Sequence, residues 1–331
     1  MPELRKDPVT GRWVIIGTER PRRPEDFQPV LAPRSPGPCV LCEGRESETP
    51  PELYAARATD GRVNAPGWRV RVVPNKFPSL RIEGEIERRG HGVYDLMNGV
   101  GAHELVIESP RHTDTLASLP VSALEEIVHS YQERMLDLRR DVRFRSIVVF
   151  KNVRSSTTVA LDHPHTHVLA TPAVPPDIAA ELVQARSYFD YRERCLFCDI
   201  LQQETDEDSR VALALDHVVG LVPFAARSPF ETWLLPRRHL AGFEHVTALE
   251  RRDLARALKT LAQRIERLLP GAPLGFVLHS APFGDEHAPS YHWHVEVTPA
   301  AAVSGFQPEG SGFAVNPLPP EDAARFLRAA E

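Results

Sequence analysis

Two C-x-x-C pairs, Cys39 with Cys42 and Cys195 with Cys198, use all four cysteines of this 331-residue chain, and the same succession of segments follows each pair. After the first comes "HELVIESPRH", ending at His112; after the second comes "FETWLLPRRH", ending at His239. Each reads as an apolar strand closed by proline, arginine and histidine. Amphipathic helices follow, "VSALEEIVHSYQERMLDLRR" and "TALERRDLARALKTLAQRIERLL", with apolar residues at helical spacing. An apolar strand, "FRSIVVF" or "LGFVLHS", then leads through a loop to a histidine-rich strand, "HPHTHVLATP" or "YHWHVEVTP". A period this long marks a duplicated half rather than a solenoid. The expectation is an α+β protein of two tandem halves, each an antiparallel sheet with packed helices, dividing near residue 175 into 1–175 and 176–331.

Superposing the halves sets His163 on His292, His165 on His294 and His167 on Glu296. In a reducing compartment, paired cysteines followed by spaced histidines suggest metal ligands more than disulfides. Each half offers two thiols and two imidazoles: Cys39, Cys42, His112 and His163, then Cys195, Cys198, His239 and His292. Such a set closes a tetrahedral Zn2+ shell with no open position, so two zinc sites are expected, the second less firmly than the first. His103 competes as a ligand, but the repeat sets it opposite Phe230, which favours His112.

His163, His165 and His167 alternate along the chain, so in an extended strand they share one face. With His163 in the metal shell, His165 stands beside a rigid neighbour and outside that shell. A neutral imidazole has one nitrogen ready to attack once a hydrogen bond has fixed its tautomer. Attack on phosphorus would give a phosphoramidate and split one transfer into two displacements. His167 and nearby backbone groups would hold the phosphoryl charge.

An apolar fraction of 42%, a charged fraction of 25% and a formal charge of −6 fit a soluble globular protein and argue against a nucleic-acid binder, leaving local basic pockets for a small phosphorylated ligand. Lysine is confined to Lys6, Lys76, Lys151 and Lys259. The amino terminus lacks a signal-peptide core and no apolar run is long enough to span a bilayer, so the cytoplasm is the expected location. Residues 17–67, rich in proline and arginine, read as loops, and "PAVPPDI" and "QQETDEDSR" as connectors. The tail, "GSGFAVNPLPPEDAARFLRAA", reads as a turn and strand before a helix starting at Pro319 or Pro320.

From "RKDPVTGRWVIIGTERPRRP" through "PNKFPSL", "ESPRH", "HPHTH" and "PFETWLLPRRH" to "HWHVEVTP" and "VNPLPPEDAA", the chain resembles the galactose-1-phosphate uridylyltransferase family of the histidine triad superfamily. The resemblance implies two histidine-triad-like halves, a homodimer, and ping-pong transfer of UMP between a UDP-hexose and a hexose 1-phosphate. It puts His165 at the nucleophile's position, carrying UMP. Arg20 and Arg23 would contact phosphate, Asn75 and Phe77 the nucleoside, and Asn152 the α-phosphate. Some relatives bind a second metal through a set that falls here on Glu181, His279, His294 and Glu296; the Cys195 and Cys198 pair is preferred to that set. The family run ends in glutamine where this chain has His167, and Ala160 stands where the family tends to have serine. Two other activities remain open on these residues: an ADP-sugar or dinucleoside polyphosphate phosphorylase, or hydrolase, using the same histidine, and a zinc-stabilised nucleotide-binding protein without catalysis.

Overall fold

Alternation along His165–Thr171 sets the plan of the molecule. Thr166, Val168 and Ala170 are buried to one side, while His165, His167 and Leu169 lie half-buried on the other. The structure, a computed structural model, describes residues 1–17, 22–29, 38–58, 61–152, 163–303 and 312–330. Its main strands are β1 (Tyr54–Arg57), β2 (Trp68–Pro74), β3 (Ala102–Ile107), β4 (Ser146–Lys151), β5 (His165–Thr171), β6 (Val211–Ala214), β7 (Val218–Leu221), β8 (Thr232–Pro236), β9 (Leu274–His279) and β10 (His294–Pro299). The helices are α1 (Val121–Leu138), α2 (Pro176–Arg192), α3 (Leu196–Glu207), α4 (Ala248–Leu268) and α5 (Pro320–Ala329).

The strands form one ten-stranded sheet in the order β6-β7-β8-β10-β9-β4-β5-β3-β2-β1. Read outward from the middle, the two halves repeat: β4-β5-β3-β2-β1 mirrors β9-β10-β8-β7-β6. The architecture is α+β, as expected, but the two sheets are continuous. They join where β4 pairs antiparallel with β9, with Val277 opposite Phe150 and Leu278 opposite Val149. Each inner edge strand thus finds its backbone partner in the other half, which removes two exposed edges at once.

On one face α1 and α4 lie side by side. Leu124, Ile127 and Met135 of α1 and Leu254, Leu258 and Leu261 of α4 share one core with Val106, Val149 and Val168 of the first half and Leu234, Val295 and Phe276 of the second. Each such side chain contributes about 1.5–3 kcal/mol on burial. Thr247 starts α4 with a capping box: it accepts from the Glu250 N–H, and the Glu250 carboxylate accepts from the Thr247 N–H at 2.7 Å. The buried Arg134 guanidinium of α1 reaches Glu104 of β3 through two bonds of 2.7 and 2.8 Å.

The other face is covered unevenly. Phe197 and Leu196 of α3 and Ala185 of α2 pack with Trp233, Leu235 and Val219 over the second half. Two segments read as connectors do link elements, but each is partly helical. Pro176 occupies the first turn of α2, where its missing N–H costs nothing. The "QQETDE" stretch closes α3, with Gln202 bonded to Asp206 and Gln203 to Glu207 one turn on. Residues 17–67 likewise contain β1, an edge strand of the main sheet. At the C-terminal end Ala314–Asn316 pairs parallel with Trp13–Ile16 and Pro320 begins α5. No helix among the described residues is long and apolar enough to cross a membrane.

Candidate active site and metal centres

The strand β3 ends at Ile107, and the turn after it carries Ser109 and His112 to the mouth of β5. There Cys39, Cys42, His112 and His163 bring their ligand atoms within 4.8 Å of one another. Cys39 and Cys42 Sγ each lie 3.6 Å from His163 Nδ1, and Cys42 Sγ lies 3.9 Å from His112 Nδ1. Ligands held 2.0–2.3 Å from a tetrahedral zinc are roughly 3.3–3.8 Å apart, so the set has the size of a metal shell. The buried His163 Nε2–H donates to the Ser109 carbonyl at 2.7 Å, which leaves Nδ1 to face the thiols. His103 is not among these four; it lies further along β3.

The second half repeats the arrangement. Cys195, Cys198, His239 and His292 cluster in the same way, with Cys198 Sγ 3.4 Å from His239 Nδ1 and 3.6 Å from His292 Nδ1. His292 Nε2–H donates to the Pro236 carbonyl at 2.9 Å, the counterpart of the bond to Ser109. Hydrogen bonds from Cys198, then His239 and His292, hold the Cys195 thiol far below its ordinary pKa against the effect of burial.

Glu181, His279, His294 and Glu296 form a separate buried cluster. Both it and the second cysteine set are assembled, sharing β10 and its approach through His294 and His292. His279 Nδ1 meets Glu181 Oε1 at 2.7 Å, and the Tyr291 hydroxyl donates to Glu181 Oε2 at 2.6 Å. Glu296 is paired with Arg227, which also binds Glu231. His294 Nε2 is buried without a hydrogen bond, 3.8 Å from Glu181 Oε1. The donor set and that orphaned nitrogen fit a cation, although Arg227 already supplies one positive charge.

His165 opens β5. Its Nδ1–H donates to the His163 carbonyl at 2.7 Å, so the lone pair resides on Nε2. The strand is braced from beneath. Lys151 Nζ donates to the His165 carbonyl at 3.0 Å and to Glu108 at 2.7 Å, Thr166 donates to Glu108, and Tyr131 Oη lies 3.0 Å from Thr166 Oγ1. His167 stacks on Phe150 with ring centroids 4.9 Å apart and stands 5.0 Å from the His165 ring.

The matching histidine of the second half, His294, is walled in. Phe197 and Trp233 lie against it at 5.1 and 5.4 Å, and it has no exposure. One half therefore presents its central imidazole, and the other buries it beneath α2 and α3.

Asn75 Oδ1 accepts from the Phe77 N–H at 3.0 Å, a turn that leaves the Phe77 ring 83% exposed. Asn152 is exposed at the end of β4 beside Lys151. Arg23 is exposed at the start of a short 3-10 turn, and among the described residues no hydrogen bond ties it to the histidines. Arg20 and the loop before the motif, with Ala160, lie outside the described residues. Sequence reasoning passed over Lys151, Glu108, Phe150 and Arg227. The scarcity of lysine, together with the position of Lys151 next to Asn152, was a signal for the first of these.

Burial holds His163 and His294 down to about 4 and His167 down to about 3. In the unfolded chain these rings take up protons near 6.5, so the unfolded state gains protons that the fold refuses. Their contribution is complete above pH 6.5 and declines as pH falls toward 4 and then 3. For His279 burial opposes charge, but Glu181 and Glu296 raise it to about 9. Its contribution is complete below pH 6.5 and is lost as pH rises through 9. Calorimetry from pH 4 to 9 should show Tm falling steadily below pH 6.5; a Tm unchanged between pH 6.5 and 4.5 contradicts neutral burial of these rings.

Models of the N-terminal and C-terminal domains of galactose-1-phosphate uridyl transferase match residues 55–175 and 181–303. An ADP-glucose phosphorylase of Arabidopsis thaliana is 34% identical over 99% of this chain and 92% of its own. A galactose-1-phosphate uridylyltransferase of Thermotoga maritima is 27% identical over 100% of this chain and 99% of its own. Among solved structures, the Arabidopsis ADP-glucose phosphorylase with bound ADP-glucose superposes with a TM-score of 0.82 at 31% identity, covering 99% of each chain. A uridylyltransferase structure superposes with a TM-score of 0.76 at 25% identity, covering 100% of this chain and 98% of that one.

Proposed function

The chain belongs to the galactose-1-phosphate uridylyltransferase family, and from that premise we propose that it moves UMP from a UDP-hexose to a hexose 1-phosphate through a covalent intermediate on His165. The supporting observation is the His165 Nδ1–H bond to the His163 carbonyl, which leaves the ring's lone pair on Nε2, on a strand braced by Lys151. In the first displacement Nε2 bonds to the α-phosphorus while the bond from phosphorus to the bridging oxygen breaks. The sugar leaves as its 1-phosphate, an anion that needs no proton. In the second, an incoming hexose 1-phosphate oxygen bonds to the same phosphorus and the N–P bond breaks. Because both partners are stable anions, the demands are in-line positioning and neutralisation of charge.

Zinc held by Cys39, Cys42, His112 and His163 would supply a rigid anchor for the entrance to β5, and the second cysteine set would hold another such ion. His167 would donate to the phosphoryl oxygens, Asn152 and Arg23 to the phosphates, and Phe77 would stack on the base over the Asn75 turn. Arg20 belongs to the phosphate contacts by resemblance.

A second reading keeps every step and exchanges the partners: ADP-glucose as donor and inorganic phosphate as acceptor. The 34% identity to the Arabidopsis phosphorylase favours it. Intact-mass measurement after incubation with UDP-glucose or ADP-glucose, without acceptor, separates the two. A UMP adduct discharged by galactose 1-phosphate supports the first reading; an AMP adduct discharged by phosphate supports the second. No adduct with either donor refutes both.

A further inference from the structure

His167 has its tautomer imposed by a neighbour on the adjacent strand. The backbone N–H of Ser79 donates to His103 Nδ1 at 3.1 Å. That nitrogen therefore carries the lone pair, and in the neutral ring the proton sits on Nε2. His103 Nε2 lies 3.0 Å from His167 Nδ1. His103 donates, His167 Nδ1 accepts, and the His167 proton is left on Nε2. The Asn75 amide nitrogen is 3.2 and 3.5 Å from the two His103 nitrogens, a near-equal spacing that puts it across the ring rather than along either lone pair. Burial lowers the pKa of His103 and of His167, so both rings enter this chain of bonds neutral. Phe150, stacked at an interplanar angle of 13°, fixes the plane of the second ring.

The register explains the meeting. His167 of β5 faces Leu105 of β3, and His103 is two residues along β3 on the same face. The diagonal between the two positions is within reach of aromatic side chains.

We propose that His103 is a positioning residue that locks His167 as a neutral Nε2–H donor to the transferring phosphoryl group and occupies its only basic nitrogen. The proposal rests on the reading of His165 as nucleophile. Its consequence is a preference among acceptors. A phosphate monoester or inorganic phosphate attacks as an anion and needs no base, whereas water must lose a proton as its oxygen bonds to phosphorus. With Nδ1 already accepting from His103, the His167 ring has no lone pair with which to take that proton. The nucleotidyl-histidine is therefore reserved for anionic phosphate acceptors and spared from hydrolysis.

Two measurements test this in the full-length protein. The first uses histidine labelled with 15N. The shifts of His167 should be those of a pyridine-type Nδ1 and a pyrrole-type Nε2; a proton on Nδ1 overturns the proposal. The second follows the fate of the isolated intermediate given galactose 1-phosphate or phosphate. In His103→Ala, transfer should fall about 10- to 100-fold, the range for losing a hydrogen-bond partner that orients a functional side chain, and the fraction released as free nucleoside monophosphate should rise. His103→Gln, whose amide can still donate to Nδ1, should restore most of the transfer. In a His167→Gln background, His103→Ala should add no further loss. Equal losses in both backgrounds, with an unchanged hydrolysed fraction, would make His103 merely structural. If the wild type forms no adduct, the function proposed above fails while the nitrogen shifts still decide the tautomer.

Discussion

His165→Ala should remove all covalent nucleotide from the protein and lower kcat by about 10^4- to 10^6-fold, the cost of deleting a nucleophile from a site that acts as a unit. Among the described residues no other side chain is arranged to replace it. His163 Nδ1 faces Cys39 and Cys42, and His167 Nδ1 is engaged by His103. His294, the matching ring of the second half, is buried behind Phe197 and Trp233. The variant should fold, because the ring is only half-buried and its hydrogen bond to the His163 carbonyl is worth about 1 kcal/mol. Intact mass with radiolabelled or unlabelled nucleotide sugar gives the answer directly. An adduct that persists in this variant disproves the assignment of the nucleophile.

Cys39→Ala should cost the protein a metal equivalent and about 4 kcal/mol or more of stability, the class of loss reserved for broken metal sites. Tm should fall by roughly 5–10 °C in a chain of this size. Activity should fall as well, since the same shell fixes His163, whose carbonyl sets the tautomer of His165. Elemental analysis and calorimetry on the purified variant check both effects. Metal content equal to the wild type's, with an unaltered Tm, would show that Cys39 holds no structural ion. Chelation of the wild type should reproduce the loss, and restored metal should reverse it.

Much of this architecture was legible because cysteine and histidine are rare and their spacing recurs. The segments ending at His112 and His239, and those bearing His163 and His292, pair across the repeat from the sequence alone. Other features left no local trace. Nothing in "FRSIVVF" or "LGFVLHS" says that the strands join each other, because an apolar inner strand reads the same whichever neighbour it takes. The start of α2 and the end of α3 carry proline or a polar run where sequence alone suggests a connector. By sequence His103 is only a rival metal ligand; its meeting with His167 depends on strand register, which composition does not encode. Glu181 of α2 meets His279, His294 and Glu296 only through packing, which spacing along the chain does not show.

The bond between β4 and β9 gives the duplication a permanent consequence. Phe150, on whose ring His167 rests, stands directly across from Val277 of the other copy. A bulkier or smaller side chain at 277 is therefore felt at the platform beneath the reacting face. A half expressed alone would bear a bare strand rim, inviting unwanted self-association.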